Sequence, residues 1–425
     1  MAYADLAHEE LLALKAELEE AYGELKARNL KLNMARGKPG GEQLKLSLPM
    51  LDCVTSDGNL IASDGTDCCN YGVLDGIPEA KTFMAEMMDH DPANVCVFGN
   101  SSLNIMYDLV AGGVLYGYSG EPAWKDQGTI KWLCPSPGYD RHFRICETLG
   151  MELIPIELKA DGPDMDKVEE LVADPAVKGI WCVPQYSNPT GTTYSDEVVK
   201  RLASMPVAAK DFRIFWDNAY CVHDLYDETE RRERVLDIAR TCVAAGNPDR
   251  YFKFASTSKV TLPGAGIAAV AASADNIAVI RKRIGTETVG YDKLNQLRHV
   301  KFLKDRAGLD EHMKKHAAII RPKFELVVKT LAAELGDTGA TWSTPNGGYF
   351  ISFDGAPNTA QRTVQLAKEA GVVMTGAGAT WPYGKDPLDR NIRIAPTLPP
   401  LEELEQALEV FCCSAKLATV ESLLA

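Results

Sequence analysis

The sequence predicts an α/β protein built on a mainly parallel sheet, followed by a smaller α+β region. Two observations carry that expectation. From about residue 93, short apolar runs alternate with amphipathic segments, the pattern of buried strands joined by crossover helices. The length, 425 residues, is too great for one ordinary core and suits a large domain plus a smaller one. Hydrophobic residues make up 46% and charged residues 24%, ordinary globular usage that argues against disorder or a fibrous repeat.

Taken in chain order, residues 4–30 read as a helix, because Leu11, Leu14, Leu18, Ala21 and Leu25 recur three and four apart. That seam is too short for a coiled coil and is expected to pack on the body of the protein. The stretch from Asn33 to Gly41, with its glycines and Pro39, cannot continue the helix. The apolar runs are Val95–Phe98, Ile130–Cys134, Glu152–Ile156, Gly179–Val183, Ile214–Trp216, Tyr251–Phe254 and Ile267–Ala272, with helical patterns at 101–116, 140–149, 164–173 and 195–204 between them. A helix-periodic stretch, 310–335, leads into the second region, where 348–353 and 390–395 read as strands and 359–370 and 401–417 as helices. The expected division is 1–55 as an N-terminal helix and arm of the small domain, 56–305 as the large domain, and 306–425 as the rest of the small domain.

A formal charge of −14 argues against nucleic acid as a partner, since phosphate backbones are held by clustered Lys and Arg. No run of roughly 18 apolar residues exists to span a membrane, and the acidic, helix-periodic N-terminus is unlike a signal peptide. The expectation is a soluble, cytoplasmic protein. Its 11 cysteines include no C-x-x-C pair, and read as reduced, buried apolar residues rather than as a disulfide framework or thiolate metal site. His312 and His316 stand four apart on a helix, but Met313-Lys314-Lys315 between them lack a zinc-protease glutamate, so a solvated helix face is expected and no metal site.

In a parallel sheet, ligands collect beyond the carboxyl ends of the strands, so the residues just after each run matter most. Gly99-Asn100-Ser101-Ser102 opens a helical segment, where backbone N–H groups and two hydroxyls suit a phosphate, although serine also simply caps helices. Asn188-Pro189-Thr190-Gly191 could be a plain turn. Asp217-Asn218-Ala219-Tyr220 puts a carboxylate at the end of a buried strand, which is costly unless something positive meets it. Ser256-Thr257-Ser258-Lys259 places a lysine over the same crevice.

In this order on one sheet edge, the sequence resembles the fold-type-I pyridoxal-phosphate (PLP) enzymes, specifically class I aminotransferases, over nearly the whole chain. The resemblance rests on Tyr71 with Gly76, GNSS at 99–102, Tyr139 after Pro137-Gly138, NPTG at 188–191, DNAY at 217–220, STSK ending on Lys259, PNGGYF at 345–350 and NIRI around Arg393. From Asn188 to Asp217 is 29 residues, 42 more lead to Lys259, and another 134 to Arg393. The N-terminal helix, RGKPG, GYDRHF and DKLNQLRH look most like a divergent bacterial subgroup of aspartate aminotransferases, similar also to the aminotransferase half of MocR-type regulators.

The resemblance implies a seven-stranded, mainly parallel sheet in the large domain and a homodimer with shared active sites. It implies transfer of an amino group between an L-amino acid (aspartate or glutamate) and a 2-oxo acid (oxaloacetate or 2-oxoglutarate) by a ping-pong Schiff-base mechanism. Lys259 would anchor PLP and act as general acid–base. Asp217 would pair with the protonated ring nitrogen, Asn188 and Tyr220 with the phenolic oxygen, and Tyr139 would stack on the ring. Ser101, Ser102 and Ser256 would hold the phosphate, with Tyr71 reaching in from a second subunit. Arg393 would grip the substrate α-carboxylate, with Asn188 and Gly37 beside it. For a side-chain carboxylate the candidates are Arg36, Arg141 and Lys293, among which the sequence does not choose. One departure stands out: relatives carry an Arg shortly after the lysine, whereas Pro263-Gly264-Ala265-Gly266-Ile267 has none. The alternatives are an aromatic aminotransferase or β-lyase on the same fold, or a non-catalytic PLP-binding sensor of the MocR kind. The last is disfavoured because only an acidic helix and a loop precede the Tyr71 segment.

Overall fold

The computed structural model describes residues 2–425. Its centre is an eight-stranded sheet in the order Val95–Phe98, Ala268–Ala271, Tyr251–Ser256, Arg213–Asp217, Val177–Cys182, Lys131–Ser136, Glu152–Lys159 and Gly162–Pro163. The five strands from Tyr251–Ser256 to Glu152–Lys159 pair in parallel, while Ala268–Ala271 runs antiparallel to both neighbours. All seven expected strands are present. The eighth is the two-residue Gly162–Pro163, which folds back on the end of Glu152–Lys159 and is too short to leave a periodic signal.

Strand residues such as those of Val177–Cys182 and Arg213–Asp217 are buried throughout, which is why they read as unbroken apolar runs. Helices Ser102–Tyr116, Asp140–Thr148, Met165–Leu171 and Asp196–Ser204 lie where the periodicity put them. The last begins on Ser195, whose hydroxyl accepts the N–H of Val198 as an N-cap. One face of the sheet carries an aromatic stack in which Trp132 meets Trp124, Trp181 and Phe215 at ring separations of 5.9, 5.2 and 5.2 Å. Gly179 permits it, because a Cβ there would lie 2.5 Å from the Trp132 ring.

The N-terminal helix is His8–Ala27, preceded by a short 3₁₀ turn at Tyr3–Asp5 rather than continuous with it. It packs against the C-terminal helix Leu401–Leu424, which runs beyond the expected 417, and Arg28 pairs with Glu409 at 2.6 Å. After it, Leu32–Asn33 pairs in parallel with Val372–Val373, tying the N-terminal arm to the C-terminal region. There, Thr341–Trp342, Ile351–Asp354 and Asn391–Ile394 form an antiparallel three-stranded sheet, with Arg393 opposite Ser352. The long helix Arg306–Leu335 runs alongside.

Candidate active site

The parallel strands deliver their following residues to one edge, and a cavity of about 410 Å³ opens there. Ser101, Ser102, Tyr139, Asn188, Asp217, Tyr220, Ser256 and Lys259 all line it, as do Arg36, Gly37, Arg141 and Arg393 from the arm, a helix and the small sheet. The sequence motifs therefore converge on one site. Two do not join it within this chain. Tyr71 is 82% exposed on the surface. Lys293 is buried, its Nζ donates to the Gly72 carbonyl at 3.0 Å, and it does not line this cavity.

Asp217 closes its strand as a buried carboxylate. Its Oδ2 is 3.0 Å from His142 Nε2, and the His142 ring stacks on Trp181 with centroids 4.5 Å apart and planes 15° from parallel. Its Oδ1 is equally buried and has no partner. A buried carboxylate oxygen without a donor is strongly unfavourable, so this atom marks where an N–H group belongs. His142, one turn into the helix Asp140–Thr148, was not among the expected site residues. The only sequence signal for it is its place three residues after Tyr139.

Lys259 follows the strand Tyr251–Ser256 in a tight turn, with its Nζ 5.0 Å from the centre of the Tyr220 ring. Burial holds its amine below the usual lysine value, the negative charge of Asp217 opposes that, and Arg393 adds to it. Burial also raises the phenol of Tyr139 to about 12 and that of Tyr220 well above its ordinary range, so both remain protonated donors.

The turn carrying Lys259 is held from behind. His299 Nε2 lies 3.1 and 3.0 Å from the hydroxyls of Thr257 and Thr261, and its Nδ1 is 2.7 Å from the Asn295 carbonyl. His312 Nε2 meets the Val260 carbonyl at 2.8 Å and His316 Nε2 at 3.1 Å. Gln43 joins His316 Nδ1 at 3.0 Å to the Tyr349 hydroxyl at 2.9 Å, which in turn donates to the Lys259 carbonyl. The expected solvated face at His312 and His316 is therefore overturned: both are buried. Lys314 and Lys315 occupy the opposite, exposed side, while the histidines continue the inward stripe of Leu309, Met313, Ile320 and Phe324. Among the described residues, no group of three or more His, Cys, Asp or Glu side chains could hold a metal, and all 11 cysteines are free.

Arg393 is nearly buried. Its Nη1 donates to Asp140 Oδ1 and Asn188 Oδ1, both at 3.2 Å, and its Nη2 to Thr375 Oγ1 at 3.3 Å. The guanidinium carbon lies 4.8 Å from the centre of the Phe350 ring. Gly37 lies against that same ring, where a Cβ would come within 2.4 Å, so no larger residue fits without moving the ring. Arg36, Lys38 and Arg141 complete a cationic mouth. At the opposite end, Ser101 precedes the helix Ser102–Tyr116 without its side chain capping it, which leaves hydroxyl and helix N–H groups for an anion. The cations lining the cavity are Arg36, Lys38, Arg141, Lys259 and Arg393, and none comes from the segment 263–267. Asp140, Thr375, Phe350, Lys38 and Ser258 also line the site and were not foreseen.

The comparisons with known proteins point to one family. The family model for aspartate amino-transferase matches residues 6–425. An aspartate aminotransferase of Corynebacterium glutamicum is 46% identical over 407 residues, covering 95% of this chain and 93% of that protein. The crystal structure of an aspartate transaminase from Corynebacterium glutamicum superimposes with a TM-score of 0.96 at 44% identity, covering 100% of this chain and 99% of that one. The fold is shared more widely: the α-aminoadipate aminotransferase LysN of Thermus thermophilus, solved with N-(5'-phosphopyridoxyl)-L-leucine, has a TM-score of 0.72 at 20% identity over 94% of this chain and 95% of its own. With Lys259, the buried Asp217 and Arg393 gathered around one cavity, the chain belongs to the aspartate aminotransferase family and is a fold-type-I aminotransferase.

Proposed function

We propose that this site binds pyridoxal 5'-phosphate and exchanges amino groups between aspartate or glutamate and the corresponding 2-oxo acids. The observation that carries the reading is the orphaned Oδ1 of Asp217 in the same cavity as Lys259 and Arg393. A protonated ring nitrogen supplies the missing donor, and uncapped hydroxyls at the start of the helix Ser102–Tyr116 suit a phosphate. When bound, PLP supplies an electron sink for the substrate α-carbon.

The protein's own contributions follow from position and charge. Asp217 keeps a proton on the ring nitrogen, and His142 fixes the carboxylate's orientation. Lys259 Nζ is the covalent anchor between turnovers and the base that takes the proton from the substrate α-carbon. Burial lowers its basicity, the direction that suits both tasks. Tyr139 would cover the ring face, and Asn188 and Tyr220 would donate to its phenolic oxygen. Ser101, Ser102 and Ser256, with the helix N–H groups, take the phosphate charge in place of the absent arginine. Arg393, flanked by Asn188 and Gly37, binds the α-carboxylate, and Arg36 or Arg141 receives a side-chain carboxylate. Three cationic side chains at the mouth favour dicarboxylates over aromatic donors.

The exposed Tyr71 fits a homodimer in which each copy lends it to the other's phosphate. The segments 1–55 and 306–425 would move as one small domain against 56–305. No helix among the described residues is long and apolar enough to cross a membrane, in keeping with a cytoplasmic enzyme. A panel of amino donors against 2-oxoglutarate, with and without added PLP, tests the reading. Aspartate and glutamate should lead the panel, and PLP should restore activity to stripped protein. A preference for phenylalanine or tyrosine, or release of pyruvate and ammonia from β-substituted donors, would refute it.

A further inference from the structure

The carboxylate of Asp140 faces the cavity although the proposed reaction gives it no task. Asp140 opens the helix Asp140–Thr148, where the helix N-terminus favours a negative charge. Its side chain is 34% exposed, while that of Arg393, 3.2 Å away, is 8% exposed. A guanidinium grips a carboxylate bidentately only along an edge that presents two parallel N–H groups. Arg393 has two such edges. The one that includes Nε does not meet the cavity: Nε is fully buried with no partner, whereas Nη1 and Nη2 reach Asp140, Asn188 and Thr375, all of which line it. The edge left is Nη1–Nη2, and both hydrogens of Nη1 are engaged, by Asp140 and Asn188. The Phe350 ring covers the guanidinium from the side.

We propose that Asp140 is a built-in competitor that occupies the carboxylate grip of Arg393 until substrate displaces it, and so sets how tightly the enzyme holds its amino acid. This inference rests on the assignment of Arg393 to the α-carboxylate. Asn188, being neutral, stays as a hydrogen-bond partner, whereas Asp140 repels the arriving charge and must give up Nη1. The exchange swaps one ion pair for another, keeps Arg393 aligned in the empty site, and weakens binding of substrate and product alike.

The test is calorimetric titration of the PLP-loaded protein with maleate, a dicarboxylate that cannot be transaminated, and with propionate, which has one carboxylate. Asp140→Asn should bind both about threefold to tenfold more tightly, the range expected when a partly exposed ion pair no longer has to be broken. The gain should persist in high salt, since a contact pair at a half-buried site is screened little. Asp140→Glu, which keeps the charge, should show no gain; if Asp140→Asn does not fold, Asp140→Ser carries the same expectation. Unchanged or weaker binding in the neutral variants, while Arg393→Lys weakens it, would overturn the competition and leave the assignment of Arg393 standing. Unchanged binding in Arg393→Lys would overturn both.

Discussion

Two buried aspartates bracket one strand of the main sheet, and they are provided for very differently. Asp211, just before Arg213–Asp217, has both oxygens engaged: Oδ1 with Lys178 at 2.7 Å, and Oδ2 with the Trp124 indole at 2.8 Å and Gln127 at 3.1 Å. Asp217, at the far end, has His142 on one oxygen and nothing on the other. Full pairing of this kind stabilises a buried carboxylate, because each unpaired buried polar atom lowers stability. A carboxylate left half-provided, in a cavity, beside a lysine of lowered basicity, is what the proposed cofactor site calls for. The contrast teaches that an unpaired oxygen acquires meaning from its place: that of Asp217 lies in a cavity shared with Lys259 and Arg393.

Substitutions should separate the two ends. The largest effect belongs to Lys259→Ala, which should lower turnover by at least about a thousandfold and abolish the absorbance of protein-bound cofactor, with the fold intact by circular dichroism. Asp217→Asn should follow, with a loss of about a hundredfold or more in kcat and little loss of thermal stability in the cofactor-free protein. Asp211→Ala should do the reverse: it strands a buried lysine, so a denaturant titration should show a loss of about 3–5 kcal/mol while kcat per folded molecule stays near that of the parent. If Asp217→Asn destabilised the protein as much as Asp211→Ala, the donor count would not distinguish their roles. Smaller again is Arg393→Lys, expected to raise KM for the amino acid about tenfold to a hundredfold through loss of the forked contact, with PLP affinity unchanged.

The sequence made much of this legible for a physical reason. A parallel sheet carries its chemistry just after each buried run, so the apolar runs pointed to the segments holding Ser101, Asn188, Asp217 and Lys259, and the family resemblance gave them roles. Residues that act from within helices carried no such marker. His142 sits one turn inside a helix, and its contact with Asp217 depends on how that helix lies across the sheet. His312 and His316 were misread because the adjacent lysines dominated the local composition. The three-and-four spacing from Leu309 to Phe324 was the better guide, since a helix sorts charge and burial by face. Lys293 could not be sorted from Arg36 and Arg141 by sequence, because its contact with the Gly72 carbonyl spans more than two hundred residues. The roles of Gln43 and Tyr349 depend on contacts across more than 250 residues, which no local pattern encodes.

The histidine layer behind Lys259 extends the comparison to pH, with the smallest expected effect. Burial holds His316 at about 3 and His299 at about 4, below the ordinary 6.5. In the neutral form His299 donates through Nδ1 to the Asn295 carbonyl and accepts at Nε2 from the threonine hydroxyls. A second proton on the ring would destroy that acceptor. A histidine whose folded value is depressed binds fewer protons than its unfolded counterpart below about pH 6.5, so stability is complete above that pH and declines as pH falls towards about 4. The urea midpoint should therefore drop across that window, by an amount equivalent to about 1–3 kcal/mol. His299→Gln should start lower at neutral pH, having lost the two-sided contact to the lysine turn, and decline less steeply in acid. Equal acid slopes in parent and variant would mean that this histidine already carries a proton in the folded protein, and that the turn bearing Lys259 is held by something other than a neutral ring.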